Sequence, residues 1–349
     1  MKQLAYVAAT VVLTACTAAL GNDTMATLGA GGLVFVQSPD VRMLSEDLYV
    51  SPDEVRVRYE FRNDGQADAS TLVAFPLPDI TGSPDFMVDV PSEDAANVFG
   101  FETKYNGEAV EAELHQYVFA ENIEYTDFLT DLGVPLLPFA DATLAAVNAL
   151  SEADQQELFH RGLVIPMESY SSENGKAEIV STEWQPVWTL KSTYSWEAHF
   201  PVGETVVVEH RYKPSVGGTV AVTFMSEDTE DNHPLADAQS KYCVDENLFA
   251  AVQRSQASPD EAWSAPYLEQ WIQYIWSTGA NWRGPIDKFR LVVDKGDPKN
   301  LVSFCWDGEI KKIAPTQFEA TATDFFPPID REFEIMLLRY NEPVPEATN

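Results

Sequence analysis

The chain has 349 residues, and its 55 Asp and Glu against 22 Lys and Arg give a formal net charge of −33 at pH 7. Proteins that bind nucleic acid or anionic membranes rely on clustered Lys and Arg, so this charge argues against both kinds of partner. A hydrophobic content of 45% with 11% aromatic residues indicates a globular protein rather than a disordered one. We attribute most of the acidity to a solvated surface suited to a saline environment.

Residues 1–21 have the layout of a secretion signal. One basic residue precedes the apolar run 4–15, which is shorter than the roughly 20 residues needed to span a bilayer. Small residues at Ala19 and Gly21 fit cleavage after Gly21. This cleavage would release a periplasmic chain that starts at Asn22.

A second processing site competes with this one. Leu13-Thr14-Ala15-Cys16 also fits a loose lipobox, in which Cys16 would carry acyl chains and tether the protein to a membrane. We favour simple cleavage and expect membrane attachment only in the lipidated alternative. In either case Cys243 and Cys305 remain, and in an oxidising compartment this even pair predicts one disulfide.

From residue 22 to residue 225 the hydrophobic pattern predicts antiparallel strands. Residues 55–62 alternate apolar and polar side chains, which indicates a strand with one buried face. Asn106-Gly107 follows another alternating segment and is a strong hairpin signal. Further strands are predicted at 33–36, 72–75, 101–105, 196–200, 206–212 and 219–224, with a turn at Gly217-Gly218. A helical insertion is predicted over about 117–165, with Ser151 as a helix cap.

From residue 226 to residue 340 a helix pair precedes more strands. The predicted helices cover 245–254 and 266–278, with Gly279 as the stop of the second. Strands are predicted at 289–293, 301–306, 318–323 and 333–337, and the tail 341–349 is expected to be loose. The predicted class is mainly β, an antiparallel β-sandwich-like fold with helical insertions in which 226–340 continues the first region as one unit.

Several short motifs occur together along this chain. They include Val73-Ala74-Phe75-Pro76-Leu77-Pro78-Asp79, the segment 210–218 that starts His210-Arg211-Tyr212, and Ser303-Phe304-Cys305-Trp306. In combination they resemble the bacterial domain of unknown function 4424 family over nearly the whole mature chain. The resemblance implies an exported protein, and because the family pattern begins at an Asn-Asp start, it favours cleavage after Gly21. It implies no established activity and no catalytic residues.

Sequence motifs of catalysis or cofactor binding are missing. There is no G-x-S-x-G, and the five histidines show neither H-x-x-x-H nor H-x-H spacing. His210 alternates with Val206, Val208 and Tyr212, and we interpret it as a structural residue on a sheet face. The acidic run 226–232 lacks the spacing of a calcium loop, so calcium is only a weak expectation.

Two functional hypotheses follow. The first is a non-enzymatic binding or interaction module that holds a protein or glycan of the cell envelope. Exposed tryptophans can stack on sugars or anchor peptides, and the candidate ligand contacts are Trp184, Trp188, Trp282 and Arg283. The second is a hydrolase of cell-envelope material, which would need two carboxylates about 5–9 Å apart in a cleft, one with a raised pKa.

Overall fold

A computed structural model of the chain describes residues 22–29, 32–89, 92, 97–173, 176–229, 232–256 and 265–342. The predicted signal segment with Cys16, residues 30 and 31, and the tail from residue 343 lie outside these residues. Among the described residues no helix combines the length and the apolar character that a membrane span requires.

Strands dominate the described structure. In the first part of the chain they are β1 (Thr24–Gly29), β2 (Gly32–Val36), β3 (Val41–Val50), β4 (Val55–Asn63), β5 (Ala69–Pro76), β6 (Ile80–Thr81), β7 (Met87–Asp89), β8 (Glu102–Tyr105), β9 (Glu108–Val110), β10 (Glu113–Ala120) and β11 (Ile123–Glu124). In the second part they are β12 (Val164–Glu173), β13 (Lys176–Pro186), β14 (Thr189–Phe200), β15 (Thr205–Tyr212), β16 (Val216–Thr219), β17 (Tyr267–Tyr274), β18 (Ile286–Asp294), β19 (Leu301–Phe304), β20 (Ile310–Lys312), β21 (Gln317–Phe325) and β22 (Phe333–Tyr340).

Helices are short and lie between the strands. They are α1 (Thr126–Asp131), α2 (Asp141–Ala149), α3 (Glu152–His160), α4 (Pro234–Tyr242) and α5 (Glu246–Ser255), with 3₁₀ turns at Thr223–Met225 and Ser277–Asn281. The predicted cap is confirmed, because Ser151 Oγ accepts the backbone N–H of Asp154 at the start of α3. The predicted fold class, mainly β with helical insertions, is confirmed.

Three sheets, together with the β12–β13 hairpin, organise the described strands. The seven-stranded sheet runs β11-β10-β14-β5-β1-β2 with β6 beside β14, and the five-stranded sheet runs β19-β22-β17-β16-β7. The eight-stranded sheet runs β20-β21-β18-β3-β4-β15-β8-β9, and within it β18 pairs with β3 in parallel. Strands from both sides of residue 225 therefore share two of the sheets.

The main core lies between the seven- and eight-stranded sheets. Phe75 on β5 packs with its ring centroid 4.9 Å from that of His210 on β15, and Phe61 on β4 packs 5.8 Å from Phe200 on β14. All four side chains are buried. This facing arrangement of two mostly antiparallel layers is that of a β-sandwich. It follows from the alternating patterns of β4 and β15, each of which buries every second residue.

The predicted helix at 266–278 is wrong. Residues 267–274 form β17, which pairs with β22 at every position, and only 277–281 turn as a 3₁₀ helix. Leu268, Trp271, Ile272 and Ile275 have a spacing that imitates a helix, but aromatic and β-branched residues favour strands when a partner strand is present. Pairing with β22, which is distant in sequence, makes this segment a strand. The local sequence pattern contains no information about that pairing.

The Gly217-Gly218 pair is also not a turn. Both residues lie in β16, between β17 and β7. A Cβ atom at position 217 would stand 2.0 Å from Nε1 of Trp271, so glycine is needed here for the close approach of the indole ring. The predicted strand at 219–224 is also wrong, because β16 ends at Thr219 and Thr223–Met225 form a 3₁₀ turn.

The predicted disulfide is present. Cys243 at the end of α4 is bonded to Cys305 after β19, with 5.0 Å between the Cα atoms. Beside the bridge, α4 and α5 pack on β22 through a second apolar cluster that includes Tyr242, Val252 and Leu338. The bridge therefore fastens the helix pair to the five-stranded sheet.

Candidate functional site

A concave hollow of about 560 Å³ lies on the outer face of the eight-stranded sheet, and we call it the charged groove. Five bases line it, which are Arg56, Arg58, Lys104, Arg211 and Arg290. Three acids line it as well, which are Asp47, Glu102 and Glu209. In a chain that has 22 bases and a net charge of −33, this hollow concentrates five cationic side chains. Its four arginines are ion-paired with neighbouring acids, namely Glu54, Glu60, Asp47 and Glu319.

Strand register brings these charges together. One row across the sheet pairs Lys104 of β8 with Glu209 of β15, Glu209 with Arg58 of β4, Arg58 with Asp47 of β3, and Asp47 with Arg290 of β18. Bases and acids alternate along this row. Because neighbouring opposite charges across a sheet attract and like charges repel, the row is compatible with a stable sheet.

A second row contains the groove's most open bases. Arg211 of β15 lies opposite Arg56 of β4, which lies opposite Tyr49 of β3. Glu54 accepts the Nε–H group of Arg211 at 2.9 Å, and its other carboxylate oxygen forms an ion pair with Nε of Arg56 at 3.1 Å. The bridging carboxylate offsets repulsion between the two guanidinium groups.

The terminal nitrogens of these two arginines remain available. Glu54 lies nearest Nε of each arginine, and the two side chains are 54% and 64% exposed, so both guanidinium groups are open to solvent. The Arg56 guanidinium lies 4.3 Å from the ring centroid of Tyr49, a cation–π distance that fixes its position. Guanidinium groups held in this way can receive a carboxylate or phosphate through two parallel hydrogen bonds.

A second hollow of about 460 Å³ adjoins the charged groove. The two share Tyr49, Glu102 and Arg211, and the second hollow adds one base, Lys213, and two acids, Asp53 and Glu54. Together they form a continuous trough in which bases and acids alternate.

Beneath the groove, on the opposite face of the same sheet, lies a polar cluster inside the core. We call it the buried cluster and define it as Asn22, Asp23, Glu46, Tyr59, His210, Tyr274 and Thr278, all of which are at most 2% exposed. Nε2 of His210 lies 2.9 Å from Oδ1 of Asp23. Tyr59 is hydrogen-bonded to Tyr274 at 2.9 Å, and the Tyr274 hydroxyl donates to Glu46 at 3.1 Å.

A β-bulge places Glu46 in this cluster. The register of β3 against β4 shifts between Met43 and Ser45. Before the shift Val41 and Met43 face the core, and after it Glu46 does, together with Leu48 and Val50. One extra residue thus exchanges the two faces of the strand and turns an acidic side chain inward.

Burial determines the ionisation of the cluster. Loss of water raises the pKa of Glu46 to about 8, although hydrogen bonds from Asn22 and Tyr274 oppose the shift. Burial also raises the pKa of the Asp23 carboxyl, and the neighbouring His210 opposes this effect. The pKa of Tyr59 lies well above its usual value for the same reason, reinforced by the charge of Glu46.

Three atoms of the cluster lack hydrogen-bond partners. Oδ1 of Asn22, Oδ2 of Asp23 and Nδ1 of His210 are buried and make no hydrogen bond to the described residues. In the described part of the chain, no group of three or more His, Cys, Asp or Glu side chains is arranged to hold a metal ion. The cluster includes a carboxyl with a raised pKa, as the hydrolase hypothesis requires, but its groups lie in the core rather than in a cleft.

The candidate residues from the sequence lie elsewhere. The expectation that Trp188 and Trp282 lie on the surface is wrong, since they are 0% and 3% exposed. The Trp188 indole donates to the Leu136 carbonyl at 2.7 Å, and Trp282 donates to the Asp23 carbonyl. Buried indole N–H groups need such partners, and loop carbonyls at the sheet ends supply them.

The other two candidates are accessible but separate from the groove. Trp184 on β13 is partly buried, with its ring centroid 5.8 Å from that of Phe159 on α3. Arg283 is exposed, and its backbone N–H donates to the Val41 carbonyl at 2.9 Å. Neither residue lines the charged groove, and their role in ligand binding stays a prediction.

Comparison of the sequence with protein-family models gives a match over residues 21–336, to the domain of unknown function DUF4424. The chain belongs to the DUF4424 family. The motifs around Val73, His210 and Ser303 therefore did indicate the family. A comparison of this DUF4424 chain with curated proteins finds no match.

Comparison with solved structures gives matches that include two distant likenesses. A Legionella pneumophila protein proposed to bind nutrients matches 91% of this DUF4424 chain and 70% of its own, with 12% identity and a TM-score of 0.43. A two-domain M1 zinc metallopeptidase matches 87% of the chain and 44% of its own, with 8% identity and a TM-score of 0.24. At these TM-scores neither likeness supports an inference about the function of this chain.

Sequence reasoning missed both the charged groove and the inward position of Glu46. Arg56 and Arg58 were visible as the polar side of an alternating strand, which by itself indicates only a solvated face. The signal that could have identified the groove is a concentration of bases in a chain whose net charge is −33. These bases come together only when β15, β4 and β3 are aligned in register, which the sequence alone does not show.

Proposed function

We propose that this DUF4424 protein is an exported, non-enzymatic binding module of the cell envelope, and that the charged groove holds its ligand. The observation that carries the proposal is the clustering of five of the chain's 22 bases in one hollow. Long-range repulsion within an acidic protein opposes binding of anions everywhere else on its surface. We therefore take the hollow lined by these five bases as the part of the described surface best suited to an anionic ligand.

The groove's chemistry favours an acidic saccharide. Its volume of about 560 Å³ lies within the range of small-molecule sites. Arg56 and Arg211 offer paired N–H donors to a carboxylate, and the interleaved acids Asp47 and Glu209 can accept hydrogen bonds from sugar hydroxyls. A ligand with carboxylates and hydroxyls on one chain matches this alternation.

Export is compatible with the groove's electrostatics. At about 0.15 M salt the Debye length is about 8 Å, so the distant acidic surface is screened while direct guanidinium contacts are not. A saline environment outside the cytoplasm would thus reduce the repulsion and preserve the binding contacts. The Cys243–Cys305 disulfide supports the same compartment, because such bonds persist where conditions are oxidising.

A glycan array tests the proposal. The double variant R58Q/R211Q removes two charges from the groove, while R62Q/R254Q removes two exposed arginine charges outside it. We expect wild type and R62Q/R254Q to bind uronic-acid glycans in preference to neutral ones, and R58Q/R211Q to lose most of that signal. R283Q tests the rival site near Trp282. Equal signals from acidic and neutral glycans, or loss of binding only in R283Q, would refute the groove as the site.

A further inference from the structure

The start of the described chain is fixed inside the core. Asn22 is 0% exposed, and its backbone N–H donates to the hydroxyl oxygen of Thr278. The Thr278 hydroxyl in turn donates to the Asn22 carbonyl at 2.6 Å. The Asn22 side-chain amide donates to Glu46 at 3.0 Å. A single residue is therefore bonded to both the 3₁₀ turn 277–281 and strand β3.

The titratable groups around Asn22 include more acids than bases. Two buried carboxyls, Asp23 and Glu46, face one imidazole, that of His210. The remaining titratable groups of the cluster are the hydroxyls of Tyr59 and Tyr274. No described Lys or Arg is bonded to either carboxyl. Buried acids without a cation are costly, and proteins normally pair them.

The cluster also lacks hydrogen-bond donors. Oδ1 of Asn22 and Oδ2 of Asp23 are buried acceptors without a partner among the described residues. A peptide nitrogen at Asn22 supplies one N–H, which Thr278 already accepts. An α-ammonium group at the same place would supply three N–H donors and one positive charge.

We propose that hydrolysis of the Gly21–Asn22 bond leaves an α-ammonium group at Asn22 that stays inside the buried cluster and supplies its missing cation, so that removal of the leader completes the fold. A signal peptidase adds one water molecule to the bond. The C–N bond breaks, the water oxygen joins Gly21, which leaves as a carboxylate, and both protons of the water molecule end on the nitrogen, which becomes an ammonium group. The Glu46 carboxyl releases its proton to solvent as it pairs with this ammonium group, whose N–H donors also serve the open acceptors.

Two independent observations meet at this position. The small residues Ala19 and Gly21 predict the cleavage site from sequence. The structure separately places residue 22 among unpaired acidic groups and unfilled acceptors. The inference shares with the proposed function only the expectation of export, so either can fail without the other.

Melting temperatures of two chains test the inference. One chain comprises residues 22–349, released from a removable fusion partner with no added residue, and the other comprises residues 20–349. We expect the longer chain to melt at least about 5 °C lower, because its charged terminus is displaced from the cluster. In E46Q the difference should fall to less than half. Equal melting temperatures in the wild-type background would overturn the inference.

A chemical measurement keeps the test decisive if E46Q does not fold. Reductive methylation of native chain 22–349 should modify the α-amine at least tenfold more slowly than Lys311, whose side chain is 59% exposed. In the unfolded chain the protection should vanish. An α-amine that reacts as fast as Lys311 in the native protein would overturn the inference. An exported protein whose intact mass corresponds to an acylated start at Cys16 would overturn it as well.

Discussion

Asp23 and His210 join the two main sheets through a hydrogen bond in the core. Oδ1 of Asp23, which directly precedes β1 of the seven-stranded sheet, lies 2.9 Å from Nε2 of His210 on β15 of the eight-stranded sheet. Both side chains are fully buried. The bond fastens the first described residues to a strand 187 positions later, beneath the charged groove.

Truncation of either partner should destabilise the protein strongly. D23A or H210A leaves a buried polar group without its partner, so each should lower the free energy of unfolding by about 3–5 kcal/mol. The double variant should cost clearly less than the sum, since the two groups are coupled. Urea unfolding of all three variants measures this. H199Q, at a half-exposed histidine, is the control and should change stability by less than about 1 kcal/mol. Additive losses would contradict the coupling.

Glu46 should make the extended chain 20–349 less stable as pH rises. Its carboxyl has a pKa raised from 4.5 to about 8 in the fold. Between these values the unfolded chain has released the proton and the folded chain retains it, so stability falls with increasing pH. At one pKa unit per about 1.4 kcal/mol, the full loss is on the order of 5 kcal/mol.

Urea unfolding between pH 5 and pH 8 checks this slope, with E46Q as the matched variant. The other titratable groups that face Glu46, namely Asp23, His210, Tyr59 and Tyr274, are the same in both proteins, so the difference reports on Glu46. E46Q should show a clearly shallower decline. Parallel curves would mean that Glu46 does not retain its proton in the fold.

The disulfide should stabilise the protein by restricting its unfolded state. Cys243 and Cys305 are 62 positions apart, and a loop of that length corresponds to about 4 kcal/mol in the chain-entropy treatment. The variant C243A/C305A should lose approximately this free energy of unfolding. Reduction of the wild type should produce the same loss, and a reductant should have no effect on the variant. Unchanged stability after reduction would contradict a structural role for the bridge.

Gly217 should tolerate no side chain while Trp271 covers it. An added Cβ would stand 2.0 Å from the indole Nε1, so G217A should cost about 1–3 kcal/mol through overpacking. The double variant G217A/W271L should recover part of that loss relative to W271L alone. Thermal unfolding of the four proteins measures the coupling. If G217A costs as much in the W271L background as in the wild type, the close approach of the indole is not the cause.

The sequence predicted those helices and strands that have one face buried in the core and the other exposed to solvent. Residues 55–62 and 206–212 form strands as predicted, because their alternation reports directly on a buried and an exposed face. The helix at 245–254 was predicted for a similar reason and corresponds to α5. Residues 267–274 pair with β22 and have side chains packed on both faces. Their apolar residues therefore do not alternate with polar ones, and the sequence pattern did not identify them as a strand.

The sites were less predictable because they depend on contacts between distant residues. Arg58 meets Glu209 and Asp47 only through strand register. Glu46 turns inward only because of a bulge that no local motif marks. Trp188 and Trp282 were taken for surface residues because their sequence positions are irregular, yet irregular segments at the sheet ends cover the core. Burial of a loop tryptophan depends on the packing around it.

Calorimetric titration of the charged groove with trigalacturonate, compared with the neutral trimer maltotriose, tests the central claim most directly. At about 0.15 M salt, the wild type and R62Q/R254Q should bind trigalacturonate and should not bind maltotriose measurably. R58Q/R211Q should bind trigalacturonate at least tenfold more weakly, which corresponds to the loss of about 1.4 kcal/mol or more. Undiminished affinity in R58Q/R211Q, equal affinity for the two trimers, or no binding of trigalacturonate by the wild type would contradict the assignment of the groove as an acidic-saccharide site.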